Sequence, residues 1–266
     1  MLQAYIESVG LFAPGLVGWH SSAEVLRGEQ AYEYAEAPKY KPALLSGNER
    51  RRATTSVRIA FGACEDAIGS REDEATQLAA VFASSGGDYA IHDQICKGLL
   101  REEPVVSPTQ FHNSVHNAAG GYWGIASNSK APSTSLSAYD HSVSAGLLEA
   151  LPIVALEEHA TLLVLSDCAV VQPMHQNRDI NDPFAAALWL TPRRTSTSMA
   201  CLTLTLDDNA HPPSEMVCKA LEPLRKNNPA AQILPLLEGI AAKRSEAYHF
   251  ATATTQSVTL QLDCNL

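Results

Sequence analysis

Four consecutive residues, Tyr139, Asp140, His141 and Ser142, bring a phenol, a carboxylate, an imidazole and a hydroxyl to one point of the chain. The last three are the residue types of a hydrolase triad, in which a carboxylate orients the base that activates a hydroxyl nucleophile. Consecutive residues on a helix point about 100° apart, so three in a row do not align as nucleophile, base and orienter. His112 and His116 are four apart, the spacing of a metal pair on one helix face. No third ligand lies nearby in sequence, so the pair reads as structural and no metal is assigned. Ser84-Ser85-Gly86-Gly87-Asp88 reads as a turn after a strand. It lacks the glycine spacing of a phosphate-binding loop, and no cofactor is assigned. The six cysteines (Cys64, Cys96, Cys168, Cys201, Cys218, Cys264) show no paired ligand spacing and read as reduced, mostly buried thiols of a cytoplasmic protein.

The elements around Tyr139 make that point of the chain informative. A strand, polar at alternate positions (Ser133, Ser135, Ser137), is expected over Ser133–Ala138, and a small-residue helix over Asp140–Glu149. Tyr139 then sits in a strand-to-helix turn, where backbone N–H groups and the helix dipole favour negative charge. Enzymes hold a thiolate or oxyanion at such turns. Further strands are expected at Gln3–Val9, Ala79–Ala83, Ala160–Leu165, Ala185–Thr191, Met199–Leu206 and Ser257–Leu262. Helical patterns cover Ala53–Ser70, Ile91–Leu100 and Thr109–Ile125; in the first, Val57, Ala60, Phe61, Cys64 and Ala67 recur at helical spacing. Strands alternating with helices indicate α/β layers. Asp207, Asp208, Asn209, His211, Pro212 and Pro213 then form a breaker cluster. Helices are expected over Ser214–Lys226 and Ala230–Lys243, the second bent or interrupted at Pro235. Residues 1–206 therefore read as one α/β unit and 207–266 as a helix–helix–strand tail.

The chain has 266 residues, 19 basic against 29 acidic, for a net charge of −10. That balance argues against nucleic acid, whose binders carry a basic face, and offers nothing to an anionic membrane surface. The N-terminal MLQAYIESVGLFAPG lacks the basic region of a signal peptide. The most apolar stretch, Leu151 to Val171, is broken by Glu157, Glu158, His159 and Asp167, so no membrane span is expected. Charged residues are 18% of the chain, below the roughly 25% usual for soluble domains. A surface this poor in charge hints at a face covered by another chain.

The order of short motifs resembles the β-ketoacyl synthase family. In that family a Gly-Pro-Ser leads into a strand and then Thr-Ala-Cys-Ser-Ser-Ser, whose cysteine carries the acyl group. Here Ala131-Pro132-Ser133 leads through Ser137-Ala138 to Tyr139-Asp140-His141-Ser142, and the cysteine's place falls on Tyr139. Arg52 with its following helix, AVFASSGG and PFAAALWL supply further pieces, so the resemblance spans about residues 1–205. The short synthase-like proteins of aryl polyene gene clusters, called chain length factors, are the members it looks most like. Two departures stand out. A phenol ionises near pH 10 and does not replace a thiol nucleophile. The family's His-Gly-Thr and Gly-His histidines have no counterpart after residue 151: His159, His175, His211 and His249 stand in unrelated surroundings.

The resemblance implies a thiolase-like α/β fold with an intact first half and a strongly reduced second half packed on it. It implies a noncatalytic subunit, without cofactor, that pairs with a full-length ketosynthase and meets acyl carrier protein mainly through that partner. It places tunnel or gate residues at Gln110, Phe111, His112 and Ser114. It places the dimer edge strand at Ser133, Thr134, Ser135, Leu136, Ser137 and Ala138. The basic clusters at Arg50–Arg52, Arg193–Arg194 and Lys243–Arg244 read as solvated surface, the alternative being a local carrier-protein contact. Two other readings stay open: a free-standing acyltransferase or hydrolase using a hydroxyl such as Ser142, and an acyl-binding module without a partner.

Overall fold

A computed structural model describes residues 1–266. In chain order it holds β1 (Leu2–Ala13), β2 (Leu16–Val17), α1 (Trp19–Leu26), α2 (Gly47–Arg52), α3 (Thr55–Ile68), α4 (Glu72–Ala75), β3 (Ala79–Ala83) and α5 (Tyr89–Leu99). There follow α6 (Pro108–Asn113), α7 (Ala118–Ser127), β4 (Ser133–Leu136), α8 (Ser142–Leu156), β5 (Thr161–Asp167), β6 (Phe184–Thr191) and β7 (Ala200–Asp207). The chain ends with α9 (Glu222–Asn227), α10 (Leu234–Ala242), β8 (Ala247–Ala251) and β9 (Ser257–Asp263).

All strands join one mixed sheet in the order β4-β3-β5-β6-β1-β7-β9-β8, with β2 paired to β1. The β4–β3 and β3–β5 pairs are parallel and the others antiparallel. Both faces of the central strands are covered, which is why they read as unbroken apolar runs. Alternate residues of β5 separate accordingly: Leu163 and Leu165 enter the core beneath α8 and α10, Leu162 and Val164 the core beneath α3 and α7. The predicted stripe of α3 is buried against the second face. Gly10 admits that contact, since a Cβ there would stand 1.9 Å from the Ala63 carbonyl oxygen.

Three expected helices differ in the structure. Thr109–Ile125 is broken into α6 and α7: the Ser114 hydroxyl donates to the Phe111 carbonyl at 2.8 Å, and His92 Nε2 lies 3.1 Å from the Ser114 carbonyl. Ser214–Lys226 is helical only from Lys219, first as a 3₁₀ turn and then as α9. Upstream, the Val217 and Cys218 N–H groups donate to the buried Glu238 carboxylate at 2.8 and 2.7 Å, and that of Met216 donates to Glu222 at 3.1 Å. Those distant carboxylates replace the local helical acceptors. Ala230–Lys243 is a 3₁₀ turn followed by α10, with Pro235 in the first turn of α10, where a missing N–H costs nothing. The tail also contains β8, which was not expected, and it extends the same sheet past β7.

Candidate functional site

The site begins at the end of β4. The strand stops at Leu136, so Ser137 and Ala138 lie in the turn, contrary to the expected strand to Ala138. The Ser137 hydroxyl instead donates to the Ser85 carbonyl at 2.9 Å. Tyr139 opens a 3₁₀ turn that runs into α8, and its φ is +55°. A side-chain-bearing residue in that region costs on the order of 1–3 kcal/mol, so the surroundings must hold it there. Buried Ser142 does so: its hydroxyl donates to the Tyr139 carbonyl at 2.8 Å and accepts the Ala138 N–H at 3.0 Å. His141 Nδ1 faces the Ala251 carbonyl at 3.3 Å, and Asp140 pairs with Arg178. The hydroxyl, imidazole and carboxylate thus have three separate partners, and no triad forms. A nucleophilic Ser142 has no base within reach in this arrangement.

Arg178 is largely buried, and its guanidinium carbon lies 3.8 Å from the centroid of the half-exposed Tyr139 ring. Together with Asp140, Asp179, Lys226 and Gln232 they border a polar cleft of about 410 Å³. Asp167, at the end of β5, is fully buried. One of its oxygens accepts from the Ser84 hydroxyl, the Ser85 N–H and the Ser85 hydroxyl at 3.0, 2.7 and 2.8 Å. The other accepts the Ala230 N–H at 3.2 Å. Burial pushes this carboxyl up to about 6, against the opposing pull of those hydrogen bonds and of Arg178. Ser84 and Ser85 are therefore a clasp onto Asp167, while Asp88 caps α5 through the Ile91 N–H at 3.1 Å. Sequence reasoning did not find Asp167 or Arg178 as site residues. The one available signal was a lone acid closing an otherwise apolar strand.

A second surface adjoins the turn. β4 ends the sheet with β3 as its one neighbour. The Ala80 N–H donates to the Pro132 carbonyl and the Ser84 N–H to the Leu136 carbonyl. With a period of two, the backbone groups of Ser133 and Ser135 then point away from β3, into the open edge. Beside that edge runs α7, where a Cβ added at Gly121 or Gly124 would meet nothing within 4 Å. Phe111, Val115 and Ile125 are exposed around a cleft of about 420 Å³ that also takes in His112 and Tyr122.

The structure brings two of the four tunnel candidates, Phe111 and His112, to this cleft. Gln110 instead donates to Gln94 at 2.8 Å, next to a separate depression lined by Lys97 and Arg101, and Ser114 is tied to Phe111 as described. His112 meets the Tyr122 ring edge-on at 6.2 Å, and His116 Nε2 lies 3.1 Å from the Ser84 carbonyl, so the two are not a metal pair. A different group of possible ligands, Asp207, His211 and His249, gathers at the opposite end of the sheet. The basic clusters are held locally: Arg50 donates to the Leu45 carbonyl, Arg193 pairs with Glu158 in solvent, and Arg244 pairs with Glu238 and Glu246. All six cysteines are free, and Cys96 is the exposed one. No helix is long and apolar enough to cross a membrane.

The profile described as "Beta-ketoacyl synthase, N-terminal domain" matches residues 19–253. Among solved structures, a chain of the ketosynthase ApeO in complex with its chain length factor ApeC, from Xenorhabdus doucetiae, superposes with a TM-score of 0.73 at 22% identity, covering 98% of this chain and 100% of that one. A chain of the ishigamide ketosynthase/chain length factor gives 0.72 at 10% identity, with 99% of each chain covered. Ketosynthase twelve of the bacillaene polyketide synthase from Bacillus amyloliquefaciens gives 0.56 at 15% identity; there the match covers 80% of this chain and 46% of the larger one. These likenesses show a thiolase-like ketosynthase fold. No curated protein sequence matches the chain.

Proposed function

The chain belongs to the β-ketoacyl synthase N-terminal domain family, and from that premise we propose that it is a chain length factor. It pairs with a full-length ketosynthase in a type II polyketide system of the aryl polyene kind. It shapes the tunnel that holds the growing acyl chain and performs no chemistry itself. The observation that carries this reading is Tyr139, which occupies, at φ +55°, the turn where the resembled family places its cysteine, with Arg178 against its ring. A phenol packed against a guanidinium, with no adjacent base to activate it, is no acyl-carrying nucleophile.

The open edge of β4 beside an exposed apolar face supports the pairing. Such an edge is a liability unless another chain covers it. The similar Xenorhabdus structure is described as a ketosynthase with its chain length factor. Another similar chain, TM-score 0.74 at 12% identity over 99% of each chain, belongs to an assembly described as an acyl-carrier protein with its ketosynthase. On this reading carrier protein meets the ketosynthase mainly, and the complex works in the cytoplasm without nucleic acid. Residues 207–266 are the reduced counterpart of the family's second half. On this reading Gln110, Phe111, His112 and Ser114 are the tunnel or gate residues, and the two that line the apolar cleft, Phe111 and His112, are the best supported.

The test is reconstitution with a full-length ketosynthase that keeps its cysteine. The two chains should co-purify, and polyene formation should need both. Stable acylation of this chain alone, or separate elution of the two, overturns the reading.

A further inference from the structure

At the edge of the sheet away from β4, Asp207 ends β7, His249 lies in β8, and Thr259 stands on β9 between them. Thr259 is paired with Thr205 on one side and His249 on the other. Alternation of side chains along the strands then puts Asp207, Thr259 and His249 on one face. The segment 208–213 folds back over that face, tied by the Ser257 hydroxyl, which donates to the Asn209 carbonyl at 2.9 Å and accepts the His211 N–H at 3.4 Å. His211 is thereby stacked on His249, with ring centroids 4.6 Å apart and planes inclined by 27°. Its Nε2 is 3.8 Å from an Asp207 oxygen. One donor atom from each of Asp207, His211 and His249 lies within 4.8 Å of the others.

Thr259 also decides which His249 nitrogen is free. The Asp207 carboxylate offers only lone pairs, so the Thr259 hydroxyl donates its hydrogen to it. The hydroxyl lone pair then takes the Nδ1–H of His249 at 2.9 Å. Nε2 is left with the lone pair that a metal requires, the arrangement in which an outer partner orients a ligating imidazole.

We propose that Asp207, His211 and His249 form a binding site for a borderline divalent transition metal of the Zn²⁺ class, with Thr259 supporting the ligands from outside. Two imidazole nitrogens and one carboxylate oxygen suit that class, and a water completes the coordination. Ligands about 2.0–2.1 Å from a tetrahedral zinc lie roughly 3.4 Å from one another, so His211 Nε2 and the Asp207 oxygen, 3.8 Å apart, need close only slightly. His211, exposed on its loop, supplies that movement, while Pro212 and Pro213 directly after it limit the loop's alternatives. The bound ion clamps segment 208–213 to β8. The site stands apart from the ketosynthase-pairing reading, since none of its residues lies on the β4 edge.

Tag-free full-length protein, stripped of metal, is titrated with Zn²⁺ against a chromophoric chelator and separately with Co²⁺. One equivalent should bind, and Co²⁺ should give visible d–d bands without a thiolate charge-transfer band. His211→Ala, which leaves the core untouched, and Asp207→Asn should each weaken binding by at least about tenfold. Cys96→Ser and His112→Ala should leave it unchanged. No uptake, a thiolate band that Cys96→Ser removes, or wild-type affinity in His211→Ala each overturns the site.

Discussion

The guanidinium carbon of Arg178 stands 3.8 Å from the centre of the Tyr139 ring while the same side chain pairs with the carboxylate of Asp140. One cation therefore grips two consecutive residues of the strand-to-helix turn, whose first residue sits in the left-handed region. The ring and the cation hold each other at the head of α8.

Removing that cation should loosen the turn. Arg178→Ala forfeits both the ring contact and the ion pair, which together are worth about 1 kcal/mol where both partners of the cation are half-exposed. Arg178→Lys, which keeps charge but not the planar stack, should lose less. Denaturant midpoints of the three proteins check this; an unchanged midpoint for Arg178→Ala means that the contact does not support the turn.

The protein should be chemically silent. Incubated alone with acyl and malonyl carrier-protein substrates, it should gain no acyl mass and release no carbon dioxide. Tyr139→Cys should not restore condensation, because Arg178 still sits beside position 139 and the family's His-Gly-Thr and Gly-His histidines have no counterpart in the sequence. Intact-protein mass spectrometry and a decarboxylation assay make the measurement, and turnover by the Tyr139→Cys protein alone would sink this reading.

Ser135→Pro probes the edge. The Ser135 N–H points away from β3, so proline there spares the inner ladder and removes one outward donor. The variant should fold as wild type by circular dichroism and lose co-purification with the ketosynthase. Retained co-purification would place the interface elsewhere.

Side-chain volume at the α6–α7 face should set product length. Phe111 is 68% exposed, so Phe111→Ala should cost little stability while lengthening or blurring the polyenes. His112→Trp, which adds volume at the cleft itself, should shorten them, since overpacking costs about 1–3 kcal/mol, one to two powers of ten in product ratio. Mass distributions of carrier-bound products from the reconstituted pair report both. Identical distributions in assembled complexes would leave the chain as a structural prop.

Asp167 should make stability depend on pH. Its carboxyl is pushed up to about 6 by burial, against about 3.9 in an unfolded chain. Between those values the folded state binds more protons, so stability falls as pH rises from about 4 to about 6. The penalty at neutral pH is on the order of 3 kcal/mol. Asp167→Asn removes this titration, and its stability should fall less over that interval. Unfolding curves at several pH values compare the two proteins; parallel profiles would show that Asp167 does not titrate there.

What the sequence determined is what local pattern can encode. β3 lies at Ala79–Ala83 as expected because a short apolar run buried on both faces needs no remote information. α3 follows its 3.6-residue stripe, and Tyr139 falls in a strand-to-helix turn because a short segment of alternating serines gives way to a small-residue helical run. The motif order was legible for the same reason, since it is a succession of local signals.

The tertiary structure decided what depends on distant partners. Helical periodicity from Ser214 onward yielded to the Glu238 carboxylate, which takes the backbone donors of Val217 and Cys218. Thr109–Ile125 broke where Ser114 and His92 offered other hydrogen bonds. Arg178 reached Asp140 across 38 residues of chain, and Asp207 met His249 only because β9 pairs with both β7 and β8. Side-chain periodicity records which face of an element is buried; it carries no record of which remote charge or hydroxyl will arrive there to compete for the backbone or complete a site.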